Sequence, residues 1–286
     1  MPSMAEDGST GAVDLTGEKI HWDLEGGMRY GGYLALEKIL NAQSPLTGHH
    51  DEMLFIVIHQ VSELWMKLSL HELEAVIRQI QRNRLDPAFK MLARISRIQG
   101  QLIMSWDVLA TMTPFDYSSF RDSLGKSSGF QSYQYRTLEF LLGNKNREMI
   151  EVHRGDPAVH AALKRVLERP SVYDETVRLL SRRGFQIAAD RVERDWSEPY
   201  RPHESVESAW LEIYRDVSRH WDLYELAEKL VDLEHKFQQW RFSHMKTVER
   251  IIGHKRGTGG SSGVPYLQKA LSLKFFPELW SVRTSI

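Results

Sequence analysis

Not one of the 286 residues is cysteine, which removes disulfides, thiolate zinc sites, iron–sulfur clusters and cysteine-ligated haem in one step. Any metal must therefore rest on His, Asp, Glu or Tyr. Charge of one sign is lacking too. The 37 Lys and Arg are balanced by 38 Asp and Glu, so nothing favours nucleic acid or an anionic membrane as a partner. Basic clusters such as Arg182–Arg183 or His254–Lys255–Arg256 read as solvated surface. Nor is there a run of about eighteen uninterrupted apolar residues, the length a spanning helix needs. The first residues, MPSMAEDGSTGAVDLTGEK, show neither a basic segment followed by an apolar core nor an arginine-rich amphipathic pattern. A cytoplasmic protein is the expectation.

Several catalytic patterns are also missing. A carboxylate-bridged di-iron bundle wants Glu-x-x-His pairs on facing helices, and the chain has one such spacing, Glu18 with His21, in its frayed start. His-Glu-x-x-His is absent. His59 and Glu63 stand at i, i+4 and could share a metal, but one pair makes no site. The glycine-rich stretch KRGTGGSSG at 255–263 lacks the Gly-Lys-Ser/Thr ending of a phosphate loop and follows a helical pattern rather than a strand.

What is present is helical periodicity, with few strand signals and no internal repeat, so the class is all-α. Residues 1–19 are small, polar and acidic and read as a disordered tail, leaving 20–286 as a single helical domain. The spacing predicts a short helix over 34–40, stopped by Ser44–Pro45, and a long one over 51–82 with an apolar stripe of Leu54, Val57, Val61, Leu64 and Leu68. Asp86 and Pro87 open a helix that Thr113–Pro114 stops. Residues 115–132 show no sustained period and mix aromatic rings with Arg121 and hydroxyls, the composition of a site-bearing segment. A helix over 133–142 ends at Gly143–Asn144, residues 150–200 read as a peripheral helical insert, and further helices cover 202–219, 221–254 and 264–273.

The 221–254 helix repeats Leu226, Leu230, Leu233, Phe237, Trp240, Val248 and Ile251 at steps of three and four, and His244 falls in that series. A lone imidazole on an apolar face is either a satisfied core residue or the axial ligand of a flat apolar cofactor, and spacing alone leaves both open. Phe55 and His59 stack at i, i+4 beside the stripe of their own helix, as a boundary pair or as a pocket wall. The glycine-rich loop is a linker or a mobile lid in which Thr258 offers a hydroxyl.

Five blocks in order resemble the tryptophan 2,3-dioxygenase family: HDEMLFIVIHQVSELW at 50–65, FRDSLGKSSGFQS at 120–132, FLLGNKN at 140–146, WRFSHMKTVER at 240–250 and the 255–263 loop. The resemblance runs from about residue 20 to the end. It implies a helical bundle enclosing a b-type haem, ferrous in the active form, in a homotetramer that opens the indole ring of L-tryptophan with O₂. On that resemblance His244 is the proximal iron ligand, Trp106 a haem neighbour, and Ser128 and Gly129 the loop over the distal face. Phe55 and His59 line the indole pocket, with His59 beside the indole N–H. Tyr117 and Arg121 contact the substrate, Arg121 at its carboxylate, and Thr258 is the lid contact to its amino-acid end. Tyr30 and Tyr33 match tyrosines lent from a neighbouring subunit. Elementary chemistry is compatible, since a zwitterionic aromatic amino acid needs a forked cation for its carboxylate, an acceptor for its ammonium and a close apolar slot. A non-catalytic haem carrier would share His244 without needing the Arg121 clamp, and a helical scaffold with a core histidine would be colourless.

Overall fold

The computed structural model describes residues 13–286, and the first part of the expected tail lies outside the described residues. Residues 13–19 carry a single turn and are exposed. The chain divides into two compact units, one ending at Ser44 and the other comprising Pro45–Ile286. In the first, α1 (Tyr30–Tyr33) and α2 (Leu36–Leu40) are separated by Ala35, which sits in the left-handed region at φ 50°. Neither helix buries a residue, and the rings of Tyr30 and Tyr33 are 76% and 74% exposed.

The second unit is helical throughout, with no strand among the described residues. Two helices of 32 residues, α3 (His50–Gln81) and α11 (Trp221–Ile252), both pack on α4 (Leu85–Leu109). The turn between α3 and α4 is short, and Asn83 makes it in the left-handed region at φ 56°. Alongside α11, Trp106 meets Trp240 and His244 while Ala110 meets Arg250, so α4 and α11 run side by side in the same direction. Around this frame stand α5 (Pro114–Arg121), α6 (Tyr133–Leu142), α7 (Pro157–Leu167), α8 (Val172–Arg182), the single turn α9 (Ala189–Val192), α10 (Glu204–Arg215), α12 (Val264–Leu271) and α13 (Pro277–Ser281).

Three expectations change. Thr113–Pro114 starts a helix instead of leaving an irregular stretch. The Thr113 hydroxyl and the Asp116 carboxylate cap each other's backbone N–H groups, and Pro114 takes the first turn, where no N–H is needed. Eight residues are too few to display a period. The segment expected as a peripheral insert is split: α9 buries nothing, whereas α8 buries Val172, Tyr173, Val177, Leu179 and Leu180 in the main core. Its charged residues are buried with partners, Asp174 accepting from Arg194 and Glu175 from Gln81 and Arg178, which is what masks the apolar period.

The apolar stripe read on α3 is the other surprise. Val57, Leu64 and Leu68 are 37%, 49% and 37% exposed, and the residues that enter the core are Met66, Leu73, Val76, Ile77 and Ile80, mostly further along the helix. By length and composition α3 is long and apolar enough to cross a membrane, yet its second half is committed to the core beside α4 and α8. Its first turn is tied down as well, the Glu52 carboxylate accepting from the backbone of Leu46 and Thr47.

One buried ionic group ties α6 and the end of α12 to α11. Glu139 on α6 accepts from Arg136, from Arg241 at 2.8 Å, and from Tyr135 and Asn144. Arg241 also donates to the carbonyls of Ala270 and Leu273 at the end of α12. Next to it, Gly143 ends α6 at φ 115°, and Lys145 donates to the carbonyls of Val166, Leu167 and Arg169, satisfying the C-terminal end of α7.

Candidate active site

His59 is fixed by its own helix. Its Nδ1 lies 2.6 Å from the carbonyl oxygen of Phe55, one turn back, and a carbonyl can only accept, so Nδ1 carries the proton and Nε2 keeps a free lone pair. The Phe55 ring stands 4.2 Å from the imidazole. Burial pushes His59 below its ordinary value of 6.5 against smaller opposing effects of the Phe55 bond and Glu63. The ring is therefore neutral near pH 7, an acceptor in an apolar setting. Glu63 accepts a hydrogen bond from Gln134, and among the described residues no third His, Asp or Glu joins the pair to make a metal site.

Phe55 also reaches across to α5, with ring centroids 5.9 Å from Tyr117 and 5.6 Å from Phe120. These three rings make the aromatic wall. Burial raises the Tyr117 phenol above 10, opposed by the charge and hydrogen bond of Arg121 one turn later. Arg121 donates from Nη2 to the backbone oxygen of Arg256 at 2.8 Å, while its buried Nε has no partner. The glycine-rich loop is thus drawn onto α5. Thr258 donates its hydroxyl to the carbonyl of Ser127 at 2.6 Å, and Ser128 accepts from Phe130 N to cap the turn Gly129–Gln131.

Between α4 and α11, His244 lies against Trp106, ring centroids 4.5 Å apart and planes within 9°, with Trp240 at 5.5 Å. No hydrogen bond tethers it. Burial, and secondarily the nearby His59, push its imidazole down to about 4, so it too is neutral. Two uncharged imidazoles, from α3 and α11, therefore stand close enough for His59 to oppose charge on His244. The indole N–H of Trp106 is buried without a partner, a donor with no acceptor in the protein.

Of the residues singled out in the sequence, Phe55 meets His59 and Tyr117, with Arg121 one turn beyond, Trp106 stacks on His244 and packs in the same apolar cluster as Phe55 and Tyr117, and Thr258 meets the carbonyl of Ser127, next to Ser128 and Gly129. Tyr30 and Tyr33 belong to the N-terminal unit. Sequence reasoning missed Phe120, fully buried behind Phe55, and the backbone carbonyls of Arg256 and Ser127. Phe120 was findable, three residues after Tyr117 on the same face. The carbonyls were not, since every residue has one.

Fold and site together define an all-α protein in which two neutral histidines, on α3 and α11, stand among aromatic side chains of α3, α4 and α5, with the Arg121 guanidinium one turn from Tyr117. A family model described as tryptophan 2,3-dioxygenase matches residues 17–286, and the chain belongs to that family. The resemblance carried by the five blocks is borne out over nearly the whole length. Relatives named tryptophan 2,3-dioxygenase include one from Bacillus thuringiensis (strain Al Hakam), 58% identical over 267 residues that make up 93% of this chain and 96% of the relative. One from Burkholderia pseudomallei (strain 668) is 59% identical over 92% of this chain and 86% of its own, and one from Burkholderia orbicola (strain MC0-3) is 60% identical over 92% and 85%.

Proposed function

We propose that the chain is a haem-dependent dioxygenase that opens the indole ring of L-tryptophan with O₂ to give N-formyl-L-kynurenine, the first step of tryptophan catabolism by the kynurenine route. The observation that carries this reading is the pair of neutral imidazoles, His59 and His244, with the aromatic rings of Phe55, Tyr117 and Phe120 beside His59 and Arg121 on the same helix as Tyr117.

The donor set suits haem b. Among the described residues no three His, Asp or Glu side chains gather to hold a bare metal ion, so a single imidazole suits a metal whose other ligands come from a macrocycle. His244 is the residue to hold the iron, on its neutral nitrogen. Trp106 sets the plane of that imidazole and keeps an N–H free for an acceptor outside the protein. Ferrous haem, when bound, supplies the centre that binds and activates O₂.

The chain's own residues do the rest. Phe55, with Tyr117 and Phe120 behind it, holds the indole ring by its apolar faces. The free Nε2 of His59 accepts the indole N–H and orients the ring. Arg121 exchanges the Arg256 carbonyl for the substrate carboxylate in a bidentate pair. Thr258, with the backbone of the closing loop, meets the amino-acid end, and Ser128 and Gly129 line the distal side. Water is excluded, the C2–C3 bond of the ring breaks, and both oxygen atoms end in the product.

A homotetramer fits the exposed α3 stripe, since Val57, Leu64 and Leu68 would be covered by other copies of the chain. In it Tyr30 and Tyr33 would reach a neighbouring site, with residues 20–286 as the functional unit and 1–19 as a tail. The enzyme is cytoplasmic and binds neither nucleic acid nor membrane. The test is anaerobic reduction of the purified protein, addition of L-tryptophan and O₂, and detection of N-formylkynurenine. A colourless protein that makes none, or a His244→Ala variant with normal haem content and turnover, overturns the reading.

A further inference from the structure

The glycine-rich loop is pinned at three neighbouring points, and the third is a contact that only glycine can make. Arg121 holds the Arg256 carbonyl, and Thr258 holds the Ser127 carbonyl. Beside Thr258, Gly259 lies against Ser128. A methyl group at Gly259 would stand 2.8 Å from the Ser128 Cβ and 2.9 Å from its Oγ, with the Phe130 Cβ at 3.8 Å. Carbon atoms settle at roughly 3.5–4.0 Å, so the loop or the Ser128 turn would have to move by close to 1 Å. Rotating the serine does not help, because its Cβ is itself in the way and its hydroxyl caps the Gly129–Gln131 turn.

The other loop glycines have different reasons. Gly260 and Gly263 have φ of +89° and +71°, which glycine adopts without strain. A methyl at Gly257 would meet only the Ser261 hydroxyl at 3.0 Å, the end of a rotatable side chain. Gly259 alone pairs an ordinary φ with a neighbour fixed at its Cβ.

We propose that Gly259 is a positioning residue whose missing side chain lets the loop descend onto Ser128 and so sets the height of the roof over the amino-acid end of the substrate. This rests on the reading of the loop as a lid over L-tryptophan. With a methyl at 259 the loop stops short. Thr258 then loses the Ser127 carbonyl, and the exposed Lys255 and Arg256 are left on a looser segment open to trypsin.

The experiment compares the haem-loaded wild type with Gly259→Ala, Gly257→Ala, Ser128→Gly and the Ser128→Gly/Gly259→Ala pair. It measures haem content, L-tryptophan affinity by titration, and the rate of tryptic cleavage after Lys255 and Arg256 with and without L-tryptophan. Gly259→Ala is expected to keep its haem, to bind L-tryptophan about 10-fold more weakly, in line with the cost of overpacking, and to be cleaved in the loop whether or not the amino acid is present. Gly257→Ala stays close to wild type, although it removes a loop glycine too. Adding Gly259→Ala to Ser128→Gly costs far less than adding it to wild type, because the blocking Cβ is gone. Equal losses in Gly257→Ala and Gly259→Ala, or an equal cost of Gly259→Ala in both backgrounds, overturn the role of Gly259 and leave the lid standing. A wild-type loop that L-tryptophan does not protect removes the lid, and this inference with it.

Discussion

The indole of Trp106 lies flat against the imidazole of His244, planes within 9° and centroids 4.5 Å apart, and no hydrogen bond competes to turn the imidazole. Stacking is thus what fixes the plane in which His244 presents its nitrogen. An aromatic pair of this kind contributes about 0.5–1.5 kcal/mol beyond its buried area. Trp106→Leu should therefore release haem about 2- to 10-fold faster, measured by transfer to a haem-free acceptor protein, while Trp106→Phe keeps most of the retention. Unchanged release from the Leu variant would mean that the imidazole is held by something else.

Arg121→Lys keeps the charge but loses the fork. A lysine ammonium cannot make the bidentate pair, and the expected loss of L-tryptophan affinity is about 1–3 kcal/mol. Tryptamine, which lacks the carboxylate, should bind wild type and variant alike. If tryptamine binds the wild type as tightly as tryptophan does, Arg121 is not the carboxylate clamp.

The buried group around Glu139 gives a stability prediction. Arg136, Glu139 and Arg241 are each less than 5% exposed, so removing the carboxylate leaves two guanidinium groups uncompensated in the interior. Glu139→Ala should destabilise the fold by about 3–5 kcal/mol in denaturant titration, the scale for breaking a buried pair by removing one partner. A variant within about 1 kcal/mol of wild type would show that water reaches the site.

The helical class, the long helices and the core-facing stripe of α11 were legible because periodicity accumulates over many turns, and Leu226, Leu230, Leu233 and Phe237 are buried as spaced. The stripe on α3 was equally periodic and misled, because a pattern says that a face is apolar without saying what covers it. Short elements were lost for want of turns, as with α5. Within the site the charged and aromatic side chains could be named in advance. What could not be read were the partners that position them, the Phe55 carbonyl on His59 and the Arg256 carbonyl on Arg121, because backbone groups leave no mark in a sequence.

The protonation of His59 sets a pH dependence. Burial holds its imidazole below 6.5, so it is neutral above that value, and its accepting Nε2 is lost only as pH falls through the lowered folded value. The same depression works on stability in the same direction. Above 6.5 neither the folded nor the unfolded form carries the proton, and below it the unfolded chain takes the proton first, so stability falls with falling pH. The value of kcat/KM for L-tryptophan should be flat above about pH 6.5 and decline on the acid side, and the decline should be absent in His59→Ala. An identical acid limb in the variant would assign it to another group.

The substitution of His59 itself decides what kind of help it gives. Its Nδ1–H is committed to the Phe55 carbonyl and its Nε2 is a weak base, because burial opposes the charged form. Such a nitrogen accepts a hydrogen bond from the indole N–H readily but is poorly suited to hold a full proton. Oxygen addition to the C2=C3 bond draws electron density from the ring, and the nitrogen can carry developing positive charge without complete loss of its proton. Removing a positioned general base costs roughly 10²–10⁴-fold, whereas an orienting hydrogen bond worth about 1 kcal/mol costs nearer 5-fold. His59→Ala and His59→Ser are therefore expected to keep measurable dioxygenase activity, with the loss falling more on KM than on kcat. The check is steady-state kinetics on haem-replete variants with L-tryptophan and its 1-methyl derivative, which has no N–H to donate, so the derivative should lose little further on the variants. A variant that holds haem and binds tryptophan normally yet shows no turnover would make His59 an obligatory base.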